Sequence, residues 1–416
     1  MSISVVARGS PLSRAQVSEV QEMLKTIHPD SHFVCSYLDT TGDKDQHSSL
    51  MEMEKTNFFT KEIDEYLLSG KARIAIHSAK DLPDPLPKGL SLVALTRNIS
   101  NRDILVLKAP LETLKPCARI GTSSMRRHVS IKSLLPDAEC IDIRGTIEKR
   151  MKMIETGSLD GVVIAEAALL RLGLKVPYQI ALEENLSPLQ GRLAVVARED
   201  DLEMAAFFAP MHKEILYLGS TPPSSFMYHY PLLTIKKRPV HNPLVEQCHS
   251  HIILTSKHAA EIFLSHCTKE MLAQKTIYAI GPTTAKVILE KGYIVHGIPD
   301  IACQEGMIAF LETLALEGSH FLLPRSSIAR ECIDTYLTER NIPFCVRALY
   351  DTIAEKKAHS PPWNHIDEIY FSSPSTVDAC SRFFPDVFTN KEIRLTPIGP
   401  VTKKALEQSR NTIYEK

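Results

Sequence analysis

Short apolar runs alternate with helical patterns through the first half of this chain, and that alternation restricts the fold more than any other feature. Residues 3–7 read as a strand, 12–27 as an amphipathic helix, 33–38 as a strand and 59–68 as a helix. Further strands are expected at 74–77, 104–107, 119–121, 140–143, 161–165 and 193–197. Helices are expected from Ser123, after Ala165 through Leu172, and over 202–212. Strands separated by helices predict α/β architecture with largely parallel sheets. Ligands of such sheets collect at the carboxyl ends of the strands, so a site is expected just after each apolar run. The polar stretch 39–57 breaks the alternation and reads as a mobile loop or lid, with a plain surface insertion as the alternative.

The second half contains an internal repeat. Ile252-Ile-Leu-Thr-Ser-Lys-His-Ala-Ala-Glu-Ile-Phe263 is matched by Ile369-Tyr-Phe-Ser-Ser-Pro-Ser-Thr-Val-Asp-Ala-Cys380, and Ile280-Gly-Pro-Thr-Thr by Ile398-Gly-Pro-Val-Thr. The offset from Thr255 to Gly281 is 26 residues, and that from Ser372 to Gly399 is 27. Matching order and spacing predict two similar α/β domains. A third strand–turn–helix starts at Phe321, and residues 231–239 and 347–351 read as the crossings between the two.

A length of 416 residues predicts two to four domains. Hydrophobic residues at 44% and charged residues at 23% are globular values. The net charge of −1 and 6% aromatic content argue against a nucleic-acid surface. Nine scattered cysteines with no C-x-x-C argue against a disulfide framework or structural zinc. The start lacks a signal-peptide pattern, and no uncharged apolar run approaches 18 residues. The expectation is a soluble cytoplasmic enzyme without a metal, a membrane or a nucleic-acid partner.

The strand ends carry the chemistry. His77-Ser-Ala-Lys-Asp-Leu-Pro83 places Lys80 beside Asp81, an acid kept ionised and able to stabilise a positive centre, or else a solvated turn. Gly121-Thr-Ser-Ser-Met-Arg-Arg127 opens a helix, so Thr122, Ser123 and Ser124 with Arg126 and Arg127 form an anion site. Arg144-Gly145 and Arg150 repeat the arrangement; Arg8 and Ser10 follow the first strand, and Arg171 lies in a helix after another. So many arginines at strand ends in a nearly neutral chain predict a pocket for a polycarboxylate or phosphate. No nucleotide-binding glycine motif is present, which favours carboxylates.

These motifs, with Val6-Ala-Arg-Gly-Ser-Pro-Leu12 and Leu169-Leu-Arg-Leu-Gly-Leu174, resemble hydroxymethylbilane synthase, also called porphobilinogen deaminase. That family condenses four porphobilinogens into a linear tetrapyrrole with loss of ammonia. The resemblance implies Asp81 as the catalytic acid. It implies Arg8, Ser10, Lys80, Arg126, Arg127, Arg144, Arg150 and Arg171 as carboxylate ligands, and a dipyrromethane cofactor. It also implies two domains like type II periplasmic binding proteins, at 1–96 plus 194–211 and at 97–193. The family's third domain anchors the cofactor through a Gly-Gly-Cys loop. This chain has no Gly-Gly-Cys, so the anchoring cysteine is unassigned; Cys248 is a candidate by position, with a structural role as the alternative.

Residues from about 213 onward resemble uroporphyrinogen-III synthase, through the repeat, Ile277-Tyr-Ala-Ile-Gly-Pro-Thr-Thr284 and Leu349-Tyr-Asp-Thr352. That family closes the linear tetrapyrrole and inverts its last ring. The resemblance implies domains at 213–235 plus 348–416 and at 236–347. Candidate contacts are Thr255, Ser256, Thr283, Ser326, Ser327, Ser372, Ser373 and Thr402, each of which could equally be a helix cap. Tyr350 is the candidate donor to the departing hydroxyl, with simple packing as its alternative. The whole then reads as a monomeric fusion acting on porphobilinogen and hydroxymethylbilane. The competing reading is a degenerate carboxylate-binding front half with only the C-terminal synthase active.

Overall fold

Among the described residues, ten strands of the front half form two five-stranded sheets. They are β1 (Ser2–Arg8), β2 (His32–Leu38), β3 (Ile74–Ser78), β4 (Leu90–Leu95), β5 (Asp103–Leu107), β6 (Arg119–Gly121), β7 (Glu139–Ile141), β8 (Gly161–Ala165), β9 (Tyr178–Leu182) and β10 (Leu193–Arg198). The computed structural model describes residues 1–44, 57–182, 187–240 and 243–414. One sheet runs β2-β1-β3-β10-β4 and the other β7-β6-β8-β5-β9. Residues 45–56 of the stretch read as a lid lie outside the described residues; its flanks form short helices, Thr41–Lys44 and Asn57–Phe59.

The expectation of largely parallel sheets needs correction. β1 is parallel to β2 and β3, and β6 to β7 and β8. But β10 is antiparallel to β3 and β4, and β5 is antiparallel to β8 and β9. The chain crosses between the sheets twice, from β4 to β5 and from β9 to β10. A strand arriving from another sheet is free of the helical crossover that makes successive strands parallel.

Helix formation follows local chemistry. Ser10 Oγ accepts the Ser13 N–H at 3.2 Å and Pro11 starts the helix Pro11–Lys25, whose Val17, Val20 and Leu24 bury against Ile3, Val5, Ile74 and Ile76.

The remaining strands are β11 (Glu214–Tyr217), β12 (Tyr228–His229), β13 (Leu233–Lys237), β14 (His251–Leu254), β15 (Thr276–Ala279), β16 (Phe321–Ser326), β17 (Phe344–Ala354), β18 (Ile366–Phe371) and β19 (Arg394–Pro397). The chain divides into two compact units, Met1–Leu232 with Lys356–Lys416, and Leu233–Glu355. The first unit contains both front sheets and a parallel sheet β12-β11-β18-β19. Ile215, Tyr217 and Tyr370 of that sheet share one apolar core with Val6, Ile63, Leu67, Ala75, Ala194 and Val196 of the front.

The second unit is a sheet β13-β17-β16-β14-β15, parallel except that β13 runs against β17. The repeat is visible in the caps. Ser256 Oγ accepts the Ala259 N–H at 3.0 Å to start Lys257–Ser265 after β14, and Ser373 Oγ accepts the Thr376 N–H at 3.3 Å to start Pro374–Phe383 after β18. Among the described residues no helix is long and apolar enough to cross a membrane.

Candidate functional site

The carboxyl ends of β1, β3, β7 and β8, with the turn after β6, converge on a cleft of about 640 Å3. Arg8 is the last residue of β1, and Ser10 caps the helix that follows. Lys80 and Asp81 form a single 3-10 turn directly after β3. Ser123, Ser124, Arg126 and Arg127 sit between β6 and the first turn of the helix Met125–Leu134. Arg144, Gly145 and Arg150 follow β7, and Arg171 lies on the helix after β8. Twelve of the residues singled out above therefore line one cavity.

The cations are held by a framework of acids. Asp103, at the start of β5, takes Arg126 Nη2 at 2.6 Å and Arg127 Nη2 at 2.7 Å. Burial alone would raise its carboxyl, but Arg127, Arg126 and Lys80 hold it well below the usual carboxylate range. Arg171 pairs with Glu19 at 2.6 Å, and Arg8 pairs with Asp43. Burial and the neighbouring arginines push Lys80 down from its ordinary value and Arg150 down to about 10. His77 is buried, with an Nε2 that has no partner among the described residues; burial and Arg8 push it down to about 4, so it is neutral at pH 7.

Asp81 differs from the paired acids Asp43, Asp103 and Glu19. It is exposed in the cleft, and among the described residues no side chain hydrogen-bonds its carboxylate. Asp39 and Glu148 line the cleft in the same exposed state, but Asp81 is the one held in the turn after β3 beside Lys80.

Two aromatic residues flank the same cations. Phe59 lies 4.8 Å from the Arg8 guanidinium and Phe58 5.6 Å from that of Arg144. Local patterns did not reveal Asp43, Asp103, Phe58 or Phe59. Their partners lie 23 to 86 residues away in the chain, and only the isolated acid at the head of an apolar strand hinted at Asp103.

Other candidates lie elsewhere. Thr122 is buried outside the cleft, and its Oγ1 accepts the Ser124 N–H at 3.3 Å. In the second unit, Tyr350 OH lies 2.9 Å from Ser256 Oγ, with burial raising the phenol. Thr255 is half-buried beside it in sequence, and Thr283 is exposed in the first turn of Pro282–Glu290. Ser326 Oγ lies 3.4 Å from Thr352 Oγ1, and Ser327 Oγ donates to Asp351 at 2.5 Å. Ser372, Ser373 and Thr402 belong to the first unit, Ser373 as a helix cap and Thr402 buried in the helix Pro400–Tyr414.

The donor set suits an oligopyrrole bearing several carboxylates. A thiol to anchor one does not line the cleft. Of the nine cysteines, Cys35, Cys117, Cys140 and Cys380 share a unit with the cleft, and none is among its lining residues. Cys248 is exposed in the other unit, next to His249, whose Nδ1 accepts the Glu246 N–H at 3.0 Å.

Comparison with known proteins agrees with this geometry. The family model for the dipyrromethane cofactor-binding domain of porphobilinogen deaminase matches residues 3–206, and that for uroporphyrinogen-III synthase matches 227–414. A probable porphobilinogen deaminase of Chlamydia pneumoniae is 38% identical over 212 residues, covering 50% of this chain and 90% of the relative. The porphobilinogen deaminase of Streptococcus sanguinis is 35% identical over 221 residues, covering 51% of this chain and 72% of the relative. The solved uroporphyrinogen-III synthetase of Helicobacter pylori aligns at 20% identity and a TM-score of 0.37, over 47% of this chain and 88% of its own. The chain belongs to the porphobilinogen deaminase family, and a uroporphyrinogen-III synthase domain follows its deaminase domain.

Proposed function

We propose that the front cleft condenses porphobilinogen into hydroxymethylbilane and that the rear domain closes this product to uroporphyrinogen III. The observation that supports this most directly is the free carboxylate of Asp81, held in the turn after β3 beside Lys80 and facing a cleft lined by Arg8, Arg126, Arg127, Arg144, Arg150 and Arg171. Arg8, Lys80, Arg126, Arg127, Arg144, Arg150 and Arg171 bind the acetate and propionate groups of the pyrroles. When bound, the dipyrromethane cofactor supplies the pyrrole α-carbon that starts the chain.

In each cycle the substrate's C–N bond breaks and its electron pair leaves with ammonia. The positive charge that remains spreads over the pyrrole ring. Asp81 accepts the ring N–H and balances that charge. The free α-carbon at the end of the growing chain then forms the C–C bond to the substrate's methylene carbon and loses its proton to water. In the rear domain the buried Tyr350, neutral and hydrogen-bonded to Ser256, donates to the departing hydroxyl, which leaves as water. Backbone N–H groups and the hydroxyls of Thr255, Ser256 and Thr283 hold carboxylates of the product being closed.

The domain division in this reading is 1–96 with 194–211, 97–193, 213–235 with 348–416, and 236–347. We read the protein as cytoplasmic and monomeric, with small pyrroles as its only substrates. A second reading, in which the front half binds carboxylates without turnover, draws on the lack of a thiol among the cleft's lining residues. Incubating the purified protein with porphobilinogen alone, measuring ammonia, then oxidising and separating the uroporphyrin isomers decides between them. Ammonia with isomer III supports both activities. Isomer I leaves the rear domain idle, and no ammonia leaves the front half a binder.

A further inference from the structure

Three consecutive residues on the second crossing between the front sheets join three different networks. Gln190 belongs to the cleft: its Oε1 accepts from Lys80 Nζ at 3.4 Å, and its Nε2 donates to Asp103 Oδ1 at 3.0 Å. It thus touches both the neighbour of Asp81 and the acid that fixes Arg126 and Arg127. The Gly191 carbonyl accepts from Arg171 Nη2 at 2.9 Å. Only glycine fits there, because φ is +84° and a Cβ would collide with the Ser100 carbonyl oxygen on the first crossing.

Arg192 extends into the β11–β18–β19 sheet of the rear half. Its side chain is 0% exposed. Nη1 donates to the Thr96 carbonyl at 2.9 Å, and Nη2 to Asp367 Oδ1 at 2.8 Å and Glu368 Oε2 at 2.6 Å. Glu368 Oε1 also accepts from Thr396 Oγ1 on β19 at 2.6 Å. The first crossing is tied to the same strands: Asn98 Nδ2 donates to Glu368 Oε2 at 3.5 Å, and Arg394 Nη2 donates to the Asn98 carbonyl at 3.3 Å. Both segments that join the two walls of the cleft are therefore bound to strands 175 and more residues further along the chain.

A fully buried charge trio adds little net stability over neutral groups of the same shape; what it supplies is fixed geometry. The two crossings are the links through which the cleft walls are held relative to each other, and Gln190 carries that position to Lys80 and Asp103. We propose that Asp367 and Glu368 position the deaminase cleft through Arg192, which makes the synthase-type sheet a working part of the deaminase. This rests on the deaminase reading of the cleft.

The test uses the full chain with Arg192→Met, Asp367→Asn and Glu368→Gln combined, which removes all three charges while nearly conserving volume. The milder Thr396→Val variant removes one hydrogen bond to Glu368. Melting temperature, ammonia release, closure of supplied hydroxymethylbilane, and deuterium exchange of residues 96–102 and 187–192 are measured together. The triple variant is expected to melt within a few degrees of the parent and to close hydroxymethylbilane at the parental rate. Its KM for porphobilinogen should rise about tenfold, more than kcat falls, since misplacement by an ångström has effects of this order or larger. Exchange in the two crossings should accelerate about tenfold, with a smaller change in Thr396→Val.

Unchanged KM and unchanged exchange in a folded triple variant overturn the proposal. If the triple variant does not fold, Thr396→Val decides by the same two readings. If the parent releases no ammonia, the deaminase reading fails, and exchange in the crossings still decides whether the rear strands hold them.

Discussion

Replacing Asp81 by Asn removes one negative charge and leaves the side chain's size almost unchanged. A unit charge about 4 Å from a carboxylate gains about 4 kcal/mol at an effective dielectric near 20. At about 1.4 kcal/mol per decade, the loss is close to a thousandfold in the rate of ammonia release. Asp43, Asp103 and Glu19 cannot substitute, because they are already engaged by Arg8, by Arg126 and Arg127, and by Arg171; the exposed Asp39 and Glu148, which also line the cleft, are the groups that a small effect would point to. Binding should be kept, since the arginines are untouched. The fold should be kept as well, since Asp81 is exposed and accepts no hydrogen bond from the described side chains. The assay is rapid-quench measurement of ammonia in the first turnover, with porphobilinogen binding followed separately by calorimetry. A variant that releases ammonia within about threefold of the parental rate would show that the developing charge is balanced elsewhere.

Three further outcomes are expected. Asp103→Asn leaves two arginines without their buried partner, so unfolding in urea at pH 7 should show a loss of about 3–5 kcal/mol. Because the folded Asp103 carboxyl lies below its unfolded value, its contribution is present above about pH 4 and lost as pH falls further; the gap between parent and variant should therefore narrow in acid. Asp43→Asn releases Arg8 for a substrate carboxylate, so KM for porphobilinogen should fall a fewfold with kcat nearly constant; a raised KM would contradict this. Tyr350→Phe removes the phenol hydrogen bond to Ser256 while keeping the ring in its apolar cluster, so the rear domain should stay folded and close hydroxymethylbilane roughly 10- to 100-fold more slowly, as judged by the ratio of isomers III and I.

The parts of this protein legible from sequence are those whose chemistry is local. Lys80, Asp81, Arg126 and Arg144 each follow an apolar run within a few residues, and the rule that sites gather at strand ends was enough to bring them together. The paired caps Ser256 and Ser373 announce the duplication for the same reason. Tyr178–Leu182 gives little strand signal in the sequence because it is an edge strand with three of five residues exposed. Leu90–Leu95 follows a proline-rich turn that hides its start. The antiparallel placement of β5 and β10 depends on which sheet each strand joins, and no local pattern encodes that. Arg192 beside Gln190-Gly191 looks like an ordinary surface arginine until Asp367 and Glu368 are brought to it.

The apolar core shared by Val6, Ala194, Ile215, Tyr217 and Tyr370 also sets a timetable for synthesis. β11 pairs with β18, but the ribosome must add residues 218 to 365 between finishing one and beginning the other. At roughly 5–20 residues per second that interval is about 7–30 s. During it the front sheets exist with one face uncovered and Arg192 without its acids, while residues 233–355 are complete and able to fold as a unit. The enzyme that acts first is thus the first to be translated and the last to be completed, and a ribosome that stalls before residue 366 leaves its core open.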